Sequence, residues 1–102
     1  MRGHFIRSML KDINENVRKV EKRLGPYKFE EKARDPKLET RQECLIAHKS
    51  FYKGEWIKET KIRQGHGRLV HADGSVYEGT FTFNKPSGKG RMIFASGDVY
   101  EG

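Results

Sequence analysis

The second half of this chain repeats itself, and that repeat constrains the fold more than any other feature. Tyr52-Lys53-Gly54-Glu55-Trp56 returns as Tyr77-Glu78-Gly79-Thr80-Phe81 and again as Tyr100-Glu101-Gly102. Gly65-His66-Gly67-Arg68 returns as Gly88-Lys89-Gly90-Arg91, and the turn pair Asp73-Gly74 has its counterpart in Ser96-Gly97. The offsets 65→88, 67→90, 74→97 and 77→100 are all 23 residues, whereas 52→77 is 25. The first loop, Ile57 to Gln64, therefore holds two extra residues. A unit this short is one supersecondary element and becomes stable by stacking on its neighbours.

The local chemistry identifies the element. Asp73-Gly74 and Ser96-Gly97 each sit between runs of alternating polarity, where glycine supplies the positive φ that a tight hairpin requires. Arg68-Leu69-Val70-His71 and Val76-Tyr77-Glu78-Gly79-Thr80-Phe81 are short, β-prone and alternating. The pattern predicts strands near 51–57, 67–72, 75–82, 90–95 and 98–102, arranged as an antiparallel meander. Glycine inside a strand normally weakens it. Recurring here beside Tyr, Trp and Phe, glycines leave room for an aromatic ring to lie against bare backbone. The rungs Tyr52/Trp56, Tyr77/Phe81 and Tyr100 are then expected to stack along the array and to supply most of its burial. A one-layer sheet of this kind explains how a chain with only 34% hydrophobic residues can fold at all.

Tyr77-Glu78-Gly79-Thr80-Phe81, Gly88-Lys89-Gly90-Arg91 and Ser96-Gly97-Asp98-Val99-Tyr100-Glu101-Gly102 together resemble the MORN repeat (membrane occupation and recognition nexus). Its pattern is Tyr-x-Gly-x-aromatic, then Gly-x-Gly, then Asp-Gly, at a similar period. The resemblance spans about residues 51–102 and departs in two loops: the insertion before Gly65, and Asn84-Lys85-Pro86-Ser87, which lacks a glycine. Leu24-Gly25-Pro26-Tyr27-Lys28-Phe29-Glu30-Glu31 is similar to leaders of ciliate MORN proteins. The resemblance implies a mainly β, elongated single-sheet scaffold rather than an enzyme. It also implies a setting in cytoskeletal or ciliary assemblies such as axonemal radial spokes, at membrane junctions, or as an accessory array, with acidic phospholipid as a ligand of some members.

Ahead of the repeats, Ile6, Leu10, Ile13, Val17, Val20 and Leu24 are spaced 4, 3, 4, 3 and 4 residues apart. That places one apolar seam on an amphipathic α-helix over residues 1–25. Gly25-Pro26 ends it, and Arg18, Lys19, Lys22 and Arg23 complement the helix dipole near its C-terminus. Glu15 and Lys19 form an i,i+4 pair in the favourable order. The seam can cover the chain's own sheet or meet another chain; a partner is favoured because the remainder offers little apolar surface. Residues 26–50 read as a charged, extended linker through Glu30-Glu31-Lys32-Ala33-Arg34-Asp35-Pro36-Lys37. Tyr27 and Phe29 are a weaker candidate for an aromatic anchor, and Cys44-Leu45-Ile46-Ala47 a candidate start of the sheet.

The net charge of +7 sits mostly in residues 1–24, which carry seven basic and three acidic side chains, while 52–102 carry eight and six. That bias suits acidic partners in general. No apolar run approaches the roughly 18–20 residues that span a bilayer, and the single Cys44 fits a reducing compartment. Gly65-His66-Gly67 and Gly88-Lys89-Gly90-Arg91 lack the spacing of a phosphate-binding loop. His4, His48, His66 and His71 have no partner at metal-ligand spacing. No catalytic, cofactor-binding or metal-binding set is therefore expected. The residues singled out are the helix seam, as a partner contact, and the repeat residues Tyr52, Gly54, Trp56, Gly65, Gly67, Gly74, Tyr77, Gly79, Phe81, Gly88, Gly90, Gly97, Tyr100 and Gly102, as structure.

The chain stops at Gly102 in mid-repeat, so a longer array or another protein covering that strand edge is expected. The expectation is a non-catalytic structural subunit of a large cytoskeletal, ciliary assembly, cytoplasmic and held by protein partners. The alternative is a peripheral module whose basic residues 53, 58, 61, 63, 68, 85, 89 and 91 meet anionic lipid. Nucleic acid ranks last, for want of a stacking platform separate from the repeat aromatics.

Overall fold

The computed structural model describes residues 14–102. Helix α1 (Glu15–Leu24) precedes six strands: β1 (Leu38–Ile46), β2 (Ser50–Ile57), β3 (Arg63–Val70), β4 (Val76–Thr82), β5 (Lys85–Ile93) and β6 (Val99–Glu101). Every strand pairs antiparallel with the next, in the order β1-β2-β3-β4-β5-β6. The fold is thus mainly β, one open meander sheet with a helix before it. It measures 36 × 35 × 21 Å, closer to a square plate than to the elongated scaffold expected.

The two equivalent turns form as their glycines require. Gly74 (φ +90°) donates its N–H to the His71 carbonyl at 2.9 Å, and Gly97 (φ +97°) donates to Phe94 at 2.8 Å. The other two tips differ from each other because the first is longer. Lys58–Ile62 closes with the Ile57 N–H on the Ile62 carbonyl at 2.9 Å. Phe83-Asn84 is a two-residue turn with φ of +47° and +70°, the signature of type I′. This tight turn is why β5 begins at Lys85 and not near residue 90. No glycine announced it, so the sequence placed a loop there.

A second correction concerns the segment read as a linker. Leu38–Ile46 is a strand, paired with β2 through Leu38↔Ile57, Arg41↔Gly54 and Cys44↔Tyr52, with a bulge between Arg41 and Cys44. It lacks glycine, tyrosine and clean alternation, yet β2 offers its free edge hydrogen-bonding groups and any extended segment can satisfy them. Residues 26–33 also stay close to the sheet. Phe29 stacks on His66 with ring centroids 4.7 Å apart, Lys32 pairs with Glu55 at 2.9 Å, and the Arg91 guanidinium lies 5.7 Å from the Tyr27 ring.

The register lines side chains up in rows across the strands. Leu45, Phe51, Val70, Val76, Ile93 and Val99 form one row, and Lys53, Arg68, Glu78, Arg91 and Glu101 another. Because alternate residues point to opposite faces, both rows lie on one face. The other face carries Cys44, Tyr52, Leu69, Tyr77, Met92 and Tyr100, and beside them Gly54, Gly67, Gly79 and Gly90. Gly102 extends the glycine row, exchanging hydrogen bonds with Gly90 at 3.0 and 3.1 Å.

Each face has its own thin core. On the first, Val17 and Val20 of α1 bury against Val76 and Ile93, with Val70 alongside. On the second, Tyr52, Trp56, Leu69 and Phe81 cluster, with Ile46 and Tyr77 against them. The C-terminal part of the helix seam therefore covers the chain's own sheet and not a partner. The physical reason is that Val70, Val76 and Ile93, the middle of the first row, form an apolar stripe in need of cover, visible only once the strands are in register. Leu24 is exposed, and Ile6, Leu10 and Ile13 lie outside the described residues.

Candidate interaction surface

The glycine row is the element that makes the aromatic face. A Cβ on Gly67 would fall 2.5–2.6 Å from Cε1 and Cζ of Tyr52, and one on Gly90 the same distance from the Tyr77 ring. A Cβ on Gly54 or Gly79 would run into the backbone of the facing glycine. Each tyrosine thus lies flat over bare backbone, and its hydroxyl reaches along its own strand to a carbonyl. Tyr52 Oη donates to Glu55 O at 2.8 Å, and Tyr77 Oη to Thr80 O at 3.1 Å. Burial pushes the Tyr52 phenol well above its ordinary value, against the opposing pull of Arg63, and raises the Tyr77 phenol as well.

The rings meet edge to face and do not stack as the repeat suggested. Trp56–Tyr52, Tyr52–Phe81 and Phe81–Tyr77 have centroids 5.1, 5.1 and 5.3 Å apart and planes 85–88° from parallel. Tyrosines lying along the glycine row leave Trp56 and Phe81 only their edges to approach, an arrangement the ring quadrupoles favour. Arg41 lies 4.9 Å over Trp56 and Arg63 5.7 Å over Tyr52, covering part of the cluster with cations. Beyond that cover the face opens: Tyr77 and Met92 are half-buried, while Phe94 and Tyr100 are 45% and 64% exposed.

The helix-bearing face is closed by charge. Arg68 bridges Glu21 of α1 at 2.6 Å and Glu78 at 3.2 Å, and Arg91 bonds Glu78 at 3.1 Å and the Gly25 carbonyl at 3.0 Å. Burial alone would lower the Arg68 pKa, but the hydrogen bonds it donates to Glu21 and the charges of Glu21 and Glu78 outweigh it and raise it. Arg68 and Arg91 occupy the same position in successive repeats, so the repeat itself provides the docking points of the helix C-terminus. The N-terminus uses the equivalent turns. Asn14 caps α1 through Oδ1 and donates Nδ2 to Asp73 O at 3.3 Å, while Asn16 Nδ2 donates to Ala95 O at 3.2 Å. Gly74 is pressed against Asn14, with no room for a Cβ, and Gly97 faces Asn16 and Val20.

Of the remaining repeat glycines, Gly65 packs on Glu55 and Leu38, and Gly88 holds a positive φ of +59° with only Thr80 nearby. Glu15 pairs with Arg18 at 3.4 Å and not with Lys19. Among the basic residues considered for lipid, Arg68 and Arg91 are committed to ion pairs within the fold, and Arg63 bonds Asn84 O at 3.1 Å. Lys53, Lys58, Lys61, Lys85 and Lys89 are exposed. The charged row and most of strand β1 escaped sequence reasoning, whereas the Tyr27/Phe29 anchor, the weaker candidate there, and the Cys44–Ile46 end of β1 did not. The 68→91 repeat of arginine was a usable signal for the first.

Among the described residues no group of three or more His, Cys, Asp and Glu could hold a metal ion, and no helix is long and apolar enough to cross a membrane. Fold and surface define a repeat protein built as one open β-meander with glycine-backed tyrosine rungs. The family model of the MORN repeat matches residues 61–76 and 77–99, so the chain carries MORN repeats there. MORN repeats commonly mediate protein–protein or membrane–lipid interaction. No curated protein matches the chain. Tyr52, Gly54 and Trp56 of β2 lie outside the matched stretch, yet they stand in the same geometric relation to Gly67 as Tyr77, Gly79 and Phe81 do to Gly90.

Proposed function

We propose that this chain is a non-catalytic scaffold that binds other proteins within a larger assembly, with the cytoskeleton, and the ciliary axoneme in particular, as its setting. The observation that carries the reading is the row Tyr77–Met92–Tyr100, with Phe94 beside it, on a face that α1 does not cover. Half-exposed aromatic and methionine side chains on a rigid sheet are the composition of a protein-binding surface. The opposite face is occupied by the chain's own helix, which leaves the aromatic face as the contact surface.

The test is fractionation of a ciliated cell expressing the tagged full chain. Retention in the detergent-extracted cytoskeleton, reduced by Met92→Glu, is expected; full release into the soluble fraction as a monomer refutes the scaffold reading. A second reading, a peripheral module on acidic phospholipid, draws on Arg18, Lys19, Lys22 and Arg23, which α1 exposes away from Val17 and Val20. Vesicle sedimentation weakened by reversing those four charges would favour it.

A further inference from the structure

One rim of the sheet gathers the start of β1 and the tips of the β2–β3 and β4–β5 hairpins. The Lys58 N–H donates to Lys37 O at 2.9 Å, and the Asn84 N–H to Arg63 O at 3.0 Å, which ties the three segments together. At this rim stands Phe83, 66% exposed, at φ +47°. A bulky residue with positive φ is an outlier, since type I′ turns favour Asn, Asp or Gly at both central positions. Among the described residues the turn is held by atoms other than the phenyl ring. The Phe83 N–H donates to Gln64 Oε1 at 2.9 Å, the Arg63 N–H donates to Asn84 Oδ1 at 2.8 Å, and Arg63 Nη2 donates to Asn84 O at 3.1 Å. A strained backbone that presents an apolar ring to solvent points to a use outside the chain.

The charge around the ring indicates what that use is. Lys37, Lys58, Lys61 and Lys85 are exposed at this rim, and none forms an ion pair among the described residues. Glu59 sits between Lys58 and Lys61 at the neighbouring tip, also with positive φ (+61°). A carboxylate in the middle of the cations suits a discrete protein surface, which can place one donor opposite it, better than a continuous anionic plane. We infer that the Phe83 tip docks an acidic protein segment, with the phenyl ring entering an apolar pocket and the surrounding lysines pairing with Asp and Glu of the partner. This rests on the scaffold reading above and assigns it a second contact point, distinct from the aromatic face.

The experiment is a display selection of random dodecapeptides on the full chain, followed by affinities on variants. Enriched peptides are expected to be acidic with one aromatic or aliphatic anchor, and to bind less tightly as salt rises. Phe83→Asn installs a residue the turn prefers, so its melting temperature should equal or exceed that of the unchanged chain. Its peptide affinity should nevertheless fall about tenfold or more, the loss expected of a hot-spot aromatic. Lys58→Gln/Lys61→Gln/Lys85→Gln should weaken the same peptides. Enriched peptides that bind Phe83→Asn unchanged, or no enrichment at all, would overturn the tip assignment while leaving the cytoskeletal test of the scaffold untouched. Sedimentation with phosphatidylserine-containing vesicles, abolished by Phe83→Asn, would overturn it in favour of a membrane.

Discussion

Gly67→Ala is the substitution that most directly tests the account of this sheet. The new methyl group would fall 2.5–2.6 Å from Cε1 and Cζ of Tyr52, with the hydroxyl closer still. The ring has nowhere to go. It is fully buried, holds the Glu55 carbonyl at 2.8 Å, and is wedged edge-on between Trp56 and Phe81 at 5.1 Å each. Overpacking of a closed site costs about 1–3 kcal/mol, and a pinned ring belongs at the top of that range. A loss of about 3 kcal/mol corresponds to a drop in melting temperature of roughly 12–24 °C for a domain this size. The assay is urea unfolding followed through Trp56, the single tryptophan, which sits against the affected ring. The control is a double-mutant cycle with Tyr52→Leu, which by itself should cost about 2–3 kcal/mol. With the ring gone, alanine at position 67 should be neutral or stabilising by about 0.5–1 kcal/mol, since glycine is the poorer strand residue. If Gly67→Ala destabilises by less than about 0.5 kcal/mol, or equally in both backgrounds, the glycine row is not the seat of the tyrosines and the reasoning fails.

Glu78→Ala leaves Arg91, only 4% exposed, and Arg68 without their shared carboxylate. It should cost about 3–5 kcal/mol in a urea titration, whereas Glu15→Gln, which breaks an exposed pair, should cost under about 0.5 kcal/mol. Asn14→Ala removes the cap of α1 and its bond to Asp73; a loss of about 1–2 kcal/mol, with faster amide exchange confined to the helix, is expected. His66 is held below its ordinary pKa of 6.5 by burial first and by the Lys32 ammonium second, against Glu55 and Glu30. Folding thus favours its neutral form. The stability it contributes is complete above 6.5 and is lost as pH falls through the lower folded value, so the urea midpoint should decline in that window. His66→Gln should flatten that part of the pH profile, and an unchanged slope would refute the assignment.

How much of this was legible beforehand differs between the two halves of the chain. The Tyr-x-Gly and Gly-x-Gly spacings disclosed the sheet, two of its turns and the pairing of rings with glycines, because each is a local steric requirement written into a fixed offset. The Phe83-Asn84 turn was not legible, since a phenylalanine at positive φ contradicts the residue preferences by which such turns are recognised. The seam of α1 was legible as a seam, but its destination was not. Val17 and Val20 report that something apolar must cover them, and only the strand register brings together Val70, Val76 and Ile93, the middle of the row, which do.

What the sequence determined by itself was therefore the repeating unit, the one-layer β architecture and the positions where backbone had to stay bare. Those follow from short-range geometry: the period of two along a strand, the freedom of glycine, and the 23-residue spacing between equivalent contacts. The tertiary structure decided which face the helix closes, that Arg68 and Arg91 are spent inside the fold, that Leu38–Ile46 becomes a strand, and which aromatics remain open to a partner. Those outcomes depend on contacts between residues as far apart as Glu21 and Arg68, or Gly25 and Arg91, whose encounter no local pattern encodes.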